Sequence, residues 1–370
     1  MSARFLTVVL ERAFNMRDGF GREIDYMRIS VIDSCNLNCY YCNPCDNNEH
    51  CHALNILSVK EVLCIVRAAT RLGIKHFRLT GGEPLLHPQI DEMVSQIKKI
   101  PGVRSVSLTT NAVLLAQHAK WLKEAGIDSI NVSLDTIDAS EYERITKKPL
   151  LEEVKHGINA AIECGIRVKI NVVLTPQTDV VALTRYVAKK GTDIRFIEMM
   201  PVGEGHTNGV EPYKKVIGTL SKLYGEPCRI NTEKTKEINS GNDKRKIPDN
   251  GPAEYYIFPE LGIRVGLIQA IHGKFCDTCN RIRVTADGRL MPCLGSSVTM
   301  DLVPDSWDFA DDVEKDFAIV RALRAAIKAK PRCHNFNDNA VTYTKTTETK
   351  TTEIEAAEVN AARNMSRIGG

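Results

Sequence analysis

Three cysteines follow directly on the first apolar, strand-like segment of the chain. Cys35, Cys39 and Cys42, the first trio, have the spacing C-x3-C-x2-C. In parallel α/β folds, active sites lie beyond the carboxyl ends of strands, so the trio favours such a fold. Three thiolates can bind a four-iron cluster at three corners, whereas an electron-transfer cluster usually has four cysteine ligands. The iron at the fourth corner then has no protein ligand and is free to bind another molecule, which suits catalysis. A zinc site is the alternative, with a fourth ligand from the nearby cysteines and histidines, Cys45, His50, Cys51 and His52.

Six apolar segments that read as strands alternate with helical segments before residue 201. The predicted strands are 27–32, 75–80, 105–109, 130–134, 167–174 and 193–199. Ser58 and Glu61 predict a capping box at the start of the first intervening helix. Such alternation is typical of a parallel sheet with helices outside it. Periodicity alone does not choose between an open doubly wound sheet and part of a βα barrel.

The pattern changes after residue 201. Residues 231–251 are polar and read as a linker or long loop, and short strands near 255–258, 263–268 and 282–285 precede a helix over 317–330. Residues 342–352 are nearly all Thr, Lys and Glu, which predicts an exposed or disordered segment. We therefore predict a barrel unit over 14–230, a C-terminal cluster-binding segment over 231–340, and a low-complexity linker with a Gly-Gly tail over 341–370.

Composition argues against several classes of protein. The 370 residues carry a net charge of +3, from 49 basic and 46 acidic side chains, which gives no reason to expect nucleic-acid binding. No run approaches the ~18 apolar residues of a membrane span, and no secretory signal is evident. We therefore expect a cytoplasmic protein, in which clustered cysteines bind metal more often than they form disulfides.

A glycine-rich run follows the second predicted strand. In Thr80-Gly81-Gly82-Glu83-Pro84 the two glycines allow the backbone to approach a ligand closely. Alone, the run also fits an ordinary turn into a helix. Because the first trio follows strand one and this run follows strand two, both are expected at the same edge of the sheet.

A second group of cysteines lies near the end of the chain. Cys276, Cys279 and Cys293, the second trio, again number three. A zinc ribbon would need a fourth cysteine, and Cys333 lies forty residues beyond Cys293. A second cluster with one open iron, which could anchor a substrate or act as a Lewis acid, is the sharper interpretation.

Four predicted strands contain a cation, namely Arg28, Arg78, Lys169 and Arg195. Strands of a parallel sheet are buried on both faces, so an unpaired charge there is costly. One explanation is a set of internal salt bridges with the strand-end acids Glu83, Asp135 and Glu198. The other is a site for a polyanion such as a triphosphate, to which Arg281 and Arg283 would contribute. By side-chain alternation, Arg195 would lie on a different face of the strand from Glu198 and Met200, which makes its inclusion in the polyanion site less secure.

Together these motifs resemble the molybdenum cofactor biosynthesis protein A family, the GTP 3′,8-cyclases that use S-adenosylmethionine (SAM) as a radical source. The resemblance runs from Asp18 through Cys293 and resumes at the last residues. It is carried by the two trios and by the runs Asp18-Gly-Phe-Gly-Arg22, Arg28-Ile-Ser-Val31, Arg78-Leu-Thr-Gly-Gly-Glu-Pro84, Thr109-Thr-Asn111, Asn131-Val-Ser-Leu-Asp135, Lys169-Ile-Asn-Val-Val173, Arg195-Phe-Ile-Glu-Met-Met-Pro-Val-Gly203, Gly251-Pro-Ala253, Asn280-Arg-Ile-Arg283 and Gly369-Gly370. Other radical SAM enzymes share the first trio, so the second trio and the Gly-Gly end are the selective features.

The resemblance implies an α/β fold, an incomplete six-stranded (βα)6 radical SAM barrel with a C-terminal segment carrying a second iron–sulfur cluster. It implies two [4Fe-4S] clusters, held by metal ligands Cys35, Cys39, Cys42, Cys276, Cys279 and Cys293. The implied SAM contacts are Tyr41, Gly82, Ser133 and Met200. The implied GTP contacts are Arg28, Arg78, Thr109, Lys169, Arg281, Ile282 and Arg283. The implied catalytic residues are Arg281, Arg283, Gly369 and Gly370.

The implied reaction is that of a lyase that converts GTP to (8S)-3′,8-cyclo-7,8-dihydroguanosine 5′-triphosphate, the first step of molybdenum cofactor biosynthesis. The first cluster would deliver an electron to SAM, and the resulting 5′-deoxyadenosyl radical would remove the ribose 3′ hydrogen of GTP. The second cluster would bind the guanine base. The implied partners are an electron donor such as flavodoxin or ferredoxin and a functional link to cyclic pyranopterin monophosphate synthase. A homodimer is one arrangement that the resemblance allows.

The chain departs from the family pattern at several positions. The loop with Cys45 and Cys51 holds either spare thiols or an extra zinc or copper site. Ala112 stands where the family favours Gly, so we expect no positive φ there. His76 stands where the family often has Lys, which would weaken one phosphate contact. The Thr/Lys/Glu segment leaves open whether Gly369 and Gly370 reach the cavity.

Two alternatives stay open on the sequence. A different radical SAM enzyme would act on a peptide or other small molecule and use the C-terminal cluster as an electron relay. A non-catalytic metal-binding protein would be expected to lack the Gly-Gly-Glu-Pro run, which is present.

Overall fold

The computed structural model describes residues 16–42, 55–202, 209–230, 251–296, 298–302, 312–334 and 336. The strands are β1 Tyr26–Ser30, β2 His76–Thr80, β3 Ser105–Thr110, β4 Ser129–Ser133, β5 Val168–Val173, β6 Asp193–Ile197, β7 Cys228–Arg229, β8 Glu254–Ile257, β9 Arg264–Ile268, β10 Arg281–Val284, β11 Arg289–Met291 and β12 Met300–Asp301. The α-helices are α1 Val59–Arg71, α2 Ile90–Lys98, α3 Leu115–Glu124, α4 Ala139–Thr146, α5 Leu151–Glu163, α6 Val180–Lys189, α7 Gly218–Tyr224 and α8 Asp312–Lys328. Within the described ranges, every helix is too short or too polar to cross a membrane.

The strands form one sheet in the order β12-β11-β10-β1-β2-β3-β4-β5-β6-β9-β8-β7. All six strands predicted in the first half of the chain are confirmed, and they pair in parallel in sequence order. β10 adds to this run in parallel beside β1, and β9 does so beside β6. The segment predicted as a separate C-terminal unit therefore contributes strands to both sides of the same parallel sheet.

Side-chain alternation gives the sheet one apolar face and one polar face. Met27 and Ile29 of β1 are fully buried, as are Phe77 and Leu79 of β2. The amphipathic helix α1 presents its own buried apolar residues to the large core cluster that contains these four side chains. Since neighbouring residues of a strand face opposite ways, Arg28 projects to the other face. The inner face of the sheet therefore carries the polar residues.

Local signals explain where the first helix begins. Ser58 and Glu61 form the predicted capping box, in which Ser58 N donates to Glu61 Oε2 at 2.7 Å and Glu61 N donates to Ser58 Oγ at 3.3 Å. The helix α4 was not predicted from the sequence. Its start is fixed by Asp138, whose carboxylate accepts a hydrogen bond from Glu141 N at 2.8 Å. A cap of this kind satisfies a donor that the first turn leaves open.

The chain after α8 connects the two sides of the parallel run. Lys330 Nζ donates to the carbonyl of Arg281, at the start of β10, at 2.8 Å. Four residues later, His334 Nε2 forms a hydrogen bond with the carbonyl of Ala270, just after β9, at 2.8 Å. One short segment thus bonds to both β10 and the end of β9, and this brings the two sides of the sheet together around its polar face.

Candidate active site

The polar face of the sheet surrounds a cavity of about 1200 Å³. All six cysteines of the two trios line it. The first trio follows the carboxyl end of β1, whereas Cys276 and Cys279 precede the amino end of β10, which pairs in parallel with β1. The two trios therefore lie at opposite ends of one cavity, with the inner strand residues between them.

The Gly-Gly run packs against the loop that leads into the first trio. Gly82 N donates to Ile32 O at 2.8 Å, and Glu83 N donates to Ser34 O at 2.8 Å. A Cβ atom on Gly82 would lie 2.2 Å from Ser34 O, which no real side chain could tolerate. Only glycine therefore permits this contact, and the contact fixes the chain immediately before Cys35.

The buried carboxylate of Glu83 connects the Gly-Gly run to the end of β3. It accepts hydrogen bonds from Thr110 Oγ1 and Asn111 N, both at 2.7 Å, and from Leu85 N at 3.0 Å. Burial raises the pKa of Glu83 to about 7, although these donors favour the charged form. Asn111 in turn donates from Nδ2 to Asn36 Oδ1 at 2.7 Å, which ties the same network to the first trio loop.

The thiols of the first trio are suited to binding metal. Cys35 is exposed towards the cavity, yet its surroundings raise its pKa to about 11. Burial raises the pKa of Cys42 to about 12 and also raises the pKa of Cys39. Without metal these thiols keep their protons, whereas bound iron displaces them. The donor set and the close-packed glycine therefore fit a cluster with three cysteine ligands.

The predicted SAM contacts Tyr41, Gly82, Ser133 and Met200 all line the cavity. Tyr41 Oη donates to Asp135 Oδ2 at 2.5 Å, and Asp135 Oδ1 accepts from Val173 N at 2.8 Å. Burial raises the pKa of Asp135 to about 6. Asp135 was predicted only as a salt-bridge partner, but it instead fixes the orientation of Tyr41 beside the first trio.

Two buried cations hold the backbone around the second trio. Arg22, paired with Asp18 at 2.5 Å, donates to the carbonyls of Cys276 at 2.7 Å and Pro331 at 2.6 Å. Lys330 Nζ donates to Pro292 O at 2.9 Å, next to Cys293. Although burial opposes the change, the charges of Lys330 and Arg281 lower the pKa of Cys279. No sequence motif indicated that Lys330 would bond to carbonyls near the second trio.

The described part of the chain holds no ready-made site for a single metal ion. There, no three Cys, His, Asp or Glu side chains are placed to hold a single metal ion. The additional ligands considered for the first trio, Cys45, His50, Cys51 and His52, lie outside the described residues. Gly369 and Gly370 also lie outside them.

Within the part of the chain that the structure describes, Glu83, Asp135 and Glu198 do not form the salt bridges considered for the strand cations. Glu83 and Asp135 bond to the groups given above, and Glu198 accepts hydrogen bonds from Ile271 N at 2.7 Å and His272 N at 3.2 Å. Arg28, Arg78, Lys169 and Arg195 instead line the cavity, together with Thr109, Arg281 and Arg283. The acids were close in sequence to the strand ends, but their carboxylates pair there with backbone N–H groups and with the side chains of Thr110, Tyr41 and His272.

The inclusion of Arg195 is better supported than the alternation argument suggested. Arg195 lines the cavity and donates from Nε to Asn171 Oδ1 at 2.9 Å. Glu198 and Met200 also line it. The alternation argument failed because β6 ends at Ile197, so strand parity does not extend to the later residues.

Two further positions differ from what their sequence context indicated. The Ile282 side chain is buried in the hydrophobic core, and Ile282 is not among the residues that line the cavity, unlike Arg281 and Arg283. Ala112 has φ of +65°, contrary to the expectation of a negative value. A non-glycine residue there costs about 1–2 kcal/mol, which the buried Glu83 and Asn111 network offsets.

Like charges are crowded on the cavity wall. Strand register places Arg28 beside both Arg78 and Arg283. Burial and then the charges of Arg283 and Arg78 lower the pKa of Arg28 well below its usual range, and burial lowers the pKa of Arg283 to about 10. Crowding of this kind disfavours the charged forms, and a polyanion between the guanidinium groups would relieve it.

Comparison with known proteins gives matches along most of the chain. The family model for the radical SAM superfamily matches residues 29–182, and the model for Molybdenum Cofactor Synthesis C matches residues 192–336. A GTP 3′,8-cyclase of Clostridium perfringens (strain SM101 / Type A) is 36% identical over 324 residues, 87% of this chain and 95% of that protein. Another, from Peptoclostridium acidaminophilum, is 37% identical over 328 residues, 87% of this chain and 94% of that protein.

A solved structure shares the fold. Streptococcus suis SuiB bound to S-adenosylmethionine superposes with a TM-score of 0.54 at 15% identity, over 86% of this chain and 71% of that chain. The two matched family models together span both cysteine trios and every inner strand of the cavity except the first three residues of β1. The chain therefore belongs to the GTP 3′,8-cyclase family of radical SAM enzymes.

Proposed function

We propose that this chain converts GTP to its 3′,8-cyclised product inside the described cavity, with SAM at the first trio and the guanine base at the second. The observation that carries the proposal is the single cavity with three cysteines at each end and cationic strand residues between them. A polyanion explains these cations, whereas a peptide substrate gives no reason for them.

We assign the SAM contacts to Tyr41, Gly82, Ser133 and Met200, and this assignment is supported by their place in the cavity lining. Gly82 leaves the adjacent backbone open to the amino acid part of SAM. Asp135 fixes Tyr41 from behind, so the Tyr41 ring is held in one orientation before SAM binds. Preorganisation of this kind reduces the entropy that binding would otherwise cost.

We assign the GTP phosphates to Arg28, Arg78, Thr109, Lys169, Arg281 and Arg283, with the main chain of Ile282 between the last two. Planar guanidinium groups bind phosphate oxygens in pairs, which fixes the orientation of the nucleotide as well as its charge. With its phosphates held between the trios, GTP would present its base to the second trio and its ribose to SAM. Each trio would hold one [4Fe-4S] cluster.

When bound, the clusters and SAM supply the one-electron chemistry that starts the reaction and the open iron that anchors the base. The chain's own part is to bind, orient and shield. Lys330 and His334, which line the cavity, form hydrogen bonds with carbonyls on β10 and just after β9. Arg281 and Arg283 line the cavity, where they can contact the nucleotide. One of these two arginines is proposed to act in the later reduction step.

Other predictions stay proposals that depend on the sequence pattern or on the resemblance. These are the incomplete barrel and its boundaries at residues 14–230, 231–340 and 341–370, the flavodoxin or ferredoxin donor, the homodimer and the cytoplasmic location. The approach of Gly369 and Gly370 to the cavity and the link to cyclic pyranopterin monophosphate synthase belong with them. An external donor is required in any case, because cleavage of SAM consumes an electron.

Turnover tests the proposal. Anaerobically reconstituted protein is mixed with reductant and SAM, and then with GTP, ATP or no nucleotide. We expect 5′-deoxyadenosine and a cyclised nucleotide with GTP alone. Equal amounts of 5′-deoxyadenosine with and without GTP, and no cyclised product, would contradict the substrate assignment.

A further inference from the structure

Tyr26, which begins β1, lies on the cavity wall outside the contacts assigned so far. Its hydroxyl accepts a hydrogen bond from Nε of Arg78. The Arg281 guanidinium lies over its ring at 5.7 Å from the centroid, and the ring of His76 is stacked beside it at 6.5 Å. Arg281 and His76 are also its direct partners on the two neighbouring strands. The sheet register therefore fixes this arrangement.

The contact with Tyr26 determines how Arg78 is oriented. Tyr26 binds the Nε side of the guanidinium, and Thr109 Oγ1 accepts from Nη1 at 3.3 Å. These two anchors on different edges of a planar group fix its plane, which matters for paired bonds to phosphate oxygens. The Tyr26 ring similarly offers its π face to Arg281, an interaction that favours a defined position for a cation.

Charged and titratable groups face Tyr26 from every neighbouring strand. They are Asp25 just before β1, Arg28 on β1, His76 and Arg78 on β2, and Arg281 and Arg283 on β10. Burial alone would raise the pKa of Tyr26, but the charges of Arg78, Arg28 and Arg281 outweigh it and lower the pKa to about 8. The Asp25 carboxylate accepts a hydrogen bond from Asn280 Nδ2 at 2.7 Å. Burial lowers the pKa of His76, so His76 supplies no proton in the alkaline range.

We propose that Tyr26 positions the phosphate-binding arginines and, at alkaline pH, serves as their internal counter-charge until the phosphates of the nucleotide arrive. This inference rests on the proposed function, because it takes the anion in the cavity to be a triphosphate. Above the pKa of Tyr26 its phenolate offsets part of the guanidinium charge. When phosphates bind, their negative charge favours the neutral phenol, so Tyr26 takes up one proton from solvent and forms no covalent bond.

Proton-linked calorimetry tests this inference. Reconstituted protein, without reductant or SAM, is titrated with GTP and separately with inorganic tripolyphosphate at about pH 9, in two buffers that differ in ionisation enthalpy. At this pH the terminal phosphate of a nucleotide, whose second pKa is about 6, is fully ionised. Tripolyphosphate and the guanine base still exchange protons in this range, so the protons that each free ligand carries are measured by titration of the ligand alone and subtracted. We expect wild type to take up close to one proton per ligand and its affinity to fall as pH rises above about 8.

The variant Tyr26→Phe keeps the ring and removes only the hydroxyl. We expect it to bind both ligands about tenfold more weakly at neutral pH, the effect of one hydrogen bond to a charged group, and to take up no proton. Tyr186→Phe, which removes a hydroxyl on α6 outside the cavity lining, is the matched control and should match wild type. Should Tyr26→Phe fail to fold, the wild-type protein decides, because an affinity for GTP that does not fall above about pH 8 would overturn the proposal.

Several results would overturn the role of Tyr26. The first is a Tyr26→Phe variant that binds with wild-type affinity. The second is a Tyr26→Phe variant that binds more weakly but takes up as many protons as wild type. The third is a wild-type protein that does not bind tripolyphosphate or takes up no proton. If Tyr26-dependent binding of tripolyphosphate is observed while GTP is not cyclised, the proposed function fails and the role of Tyr26 stands.

Discussion

The substitution Gly82→Ala tests whether the Gly-Gly run positions the first trio. The new Cβ would lie 2.2 Å from Ser34 O and 2.5 Å from Asp33 O, and real Cβ atoms stay at least 3.0 Å away. The Ser34 carbonyl must therefore move by about 0.8 Å. Both obstacles are backbone atoms, so no side-chain rotation can relieve the contact. Gly82 does not have a positive φ, which means that the effect is steric alone.

The expected consequences concern both stability and activity. Overpacking of this kind costs about 1–3 kcal/mol in the free energy of unfolding. The displaced Ser34 immediately precedes Cys35, and a misplacement of about 1 Å near a reacting group can lower the rate about 100-fold. We expect Gly82→Ala to lower the denaturant midpoint and to lower reductive SAM cleavage by that factor, with iron content measured in the same samples.

A matched glycine provides the control. Gly218, at the start of α7, has no atom within 4 Å of its added Cβ and no positive φ. Gly218→Ala should raise stability by about 0.5–1 kcal/mol, the usual gain from alanine in a helix, and leave SAM cleavage unchanged. If Gly82→Ala keeps wild-type stability and cleaves SAM within threefold of wild type, the positioning role of this contact is refuted.

Three further predictions follow from the same site. Cys293→Ser should retain about half of the bound iron and lose GTP turnover. The control Cys164→Ser, outside the cavity lining, should keep full iron content and full GTP turnover. Full iron content in Cys293→Ser would contradict a second cluster. Lys330→Met removes a charged donor from two carbonyls, so thermal or urea unfolding should show a loss of about 3 kcal/mol, and an unchanged midpoint would exclude this role. Because burial raises the pKa of Glu83 to about 7, the unfolded chain ionises first, and stability should fall by about 3 kcal/mol as pH rises from about 4.5 to about 7. Urea midpoints of wild type and Glu83→Gln should show a smaller fall in the variant, and equal falls would show that Glu83 is not the group.

The sequence predicted the six parallel strands because buried parallel strands have a strong local signature. Alternation along β1 and β2 explains why Arg28 and Arg78 project into the cavity while their neighbours pack in the core. The same rule failed for Arg195, since the reference residue Glu198 lies beyond the strand end. Local alternation is reliable only within a strand, and the sequence does not mark where β6 stops.

Long-range contacts were less predictable. Nothing local to β9 or β10 indicates that they join opposite sides of the parallel run. The role of Lys330 depends on carbonyls that lie 38 and 49 residues earlier in the chain. The position of Tyr26 on the cavity wall was easier to predict, because Tyr26 and Arg28 are two residues apart on β1 and therefore share a face of the strand. An aromatic hydroxyl two positions before an inner arginine is a signal that could have been used.

Isotope transfer tests the central claim that GTP and SAM meet inside this one cavity. Reconstituted enzyme is supplied with reductant, SAM and GTP that carries deuterium at the ribose 3′ carbon, and the 5′-deoxyadenosine formed is analysed by mass spectrometry. Our account predicts one deuterium in the 5′-deoxyadenosine, together with a cyclised nucleotide. Unlabelled 5′-deoxyadenosine formed at the same rate with and without GTP would contradict it.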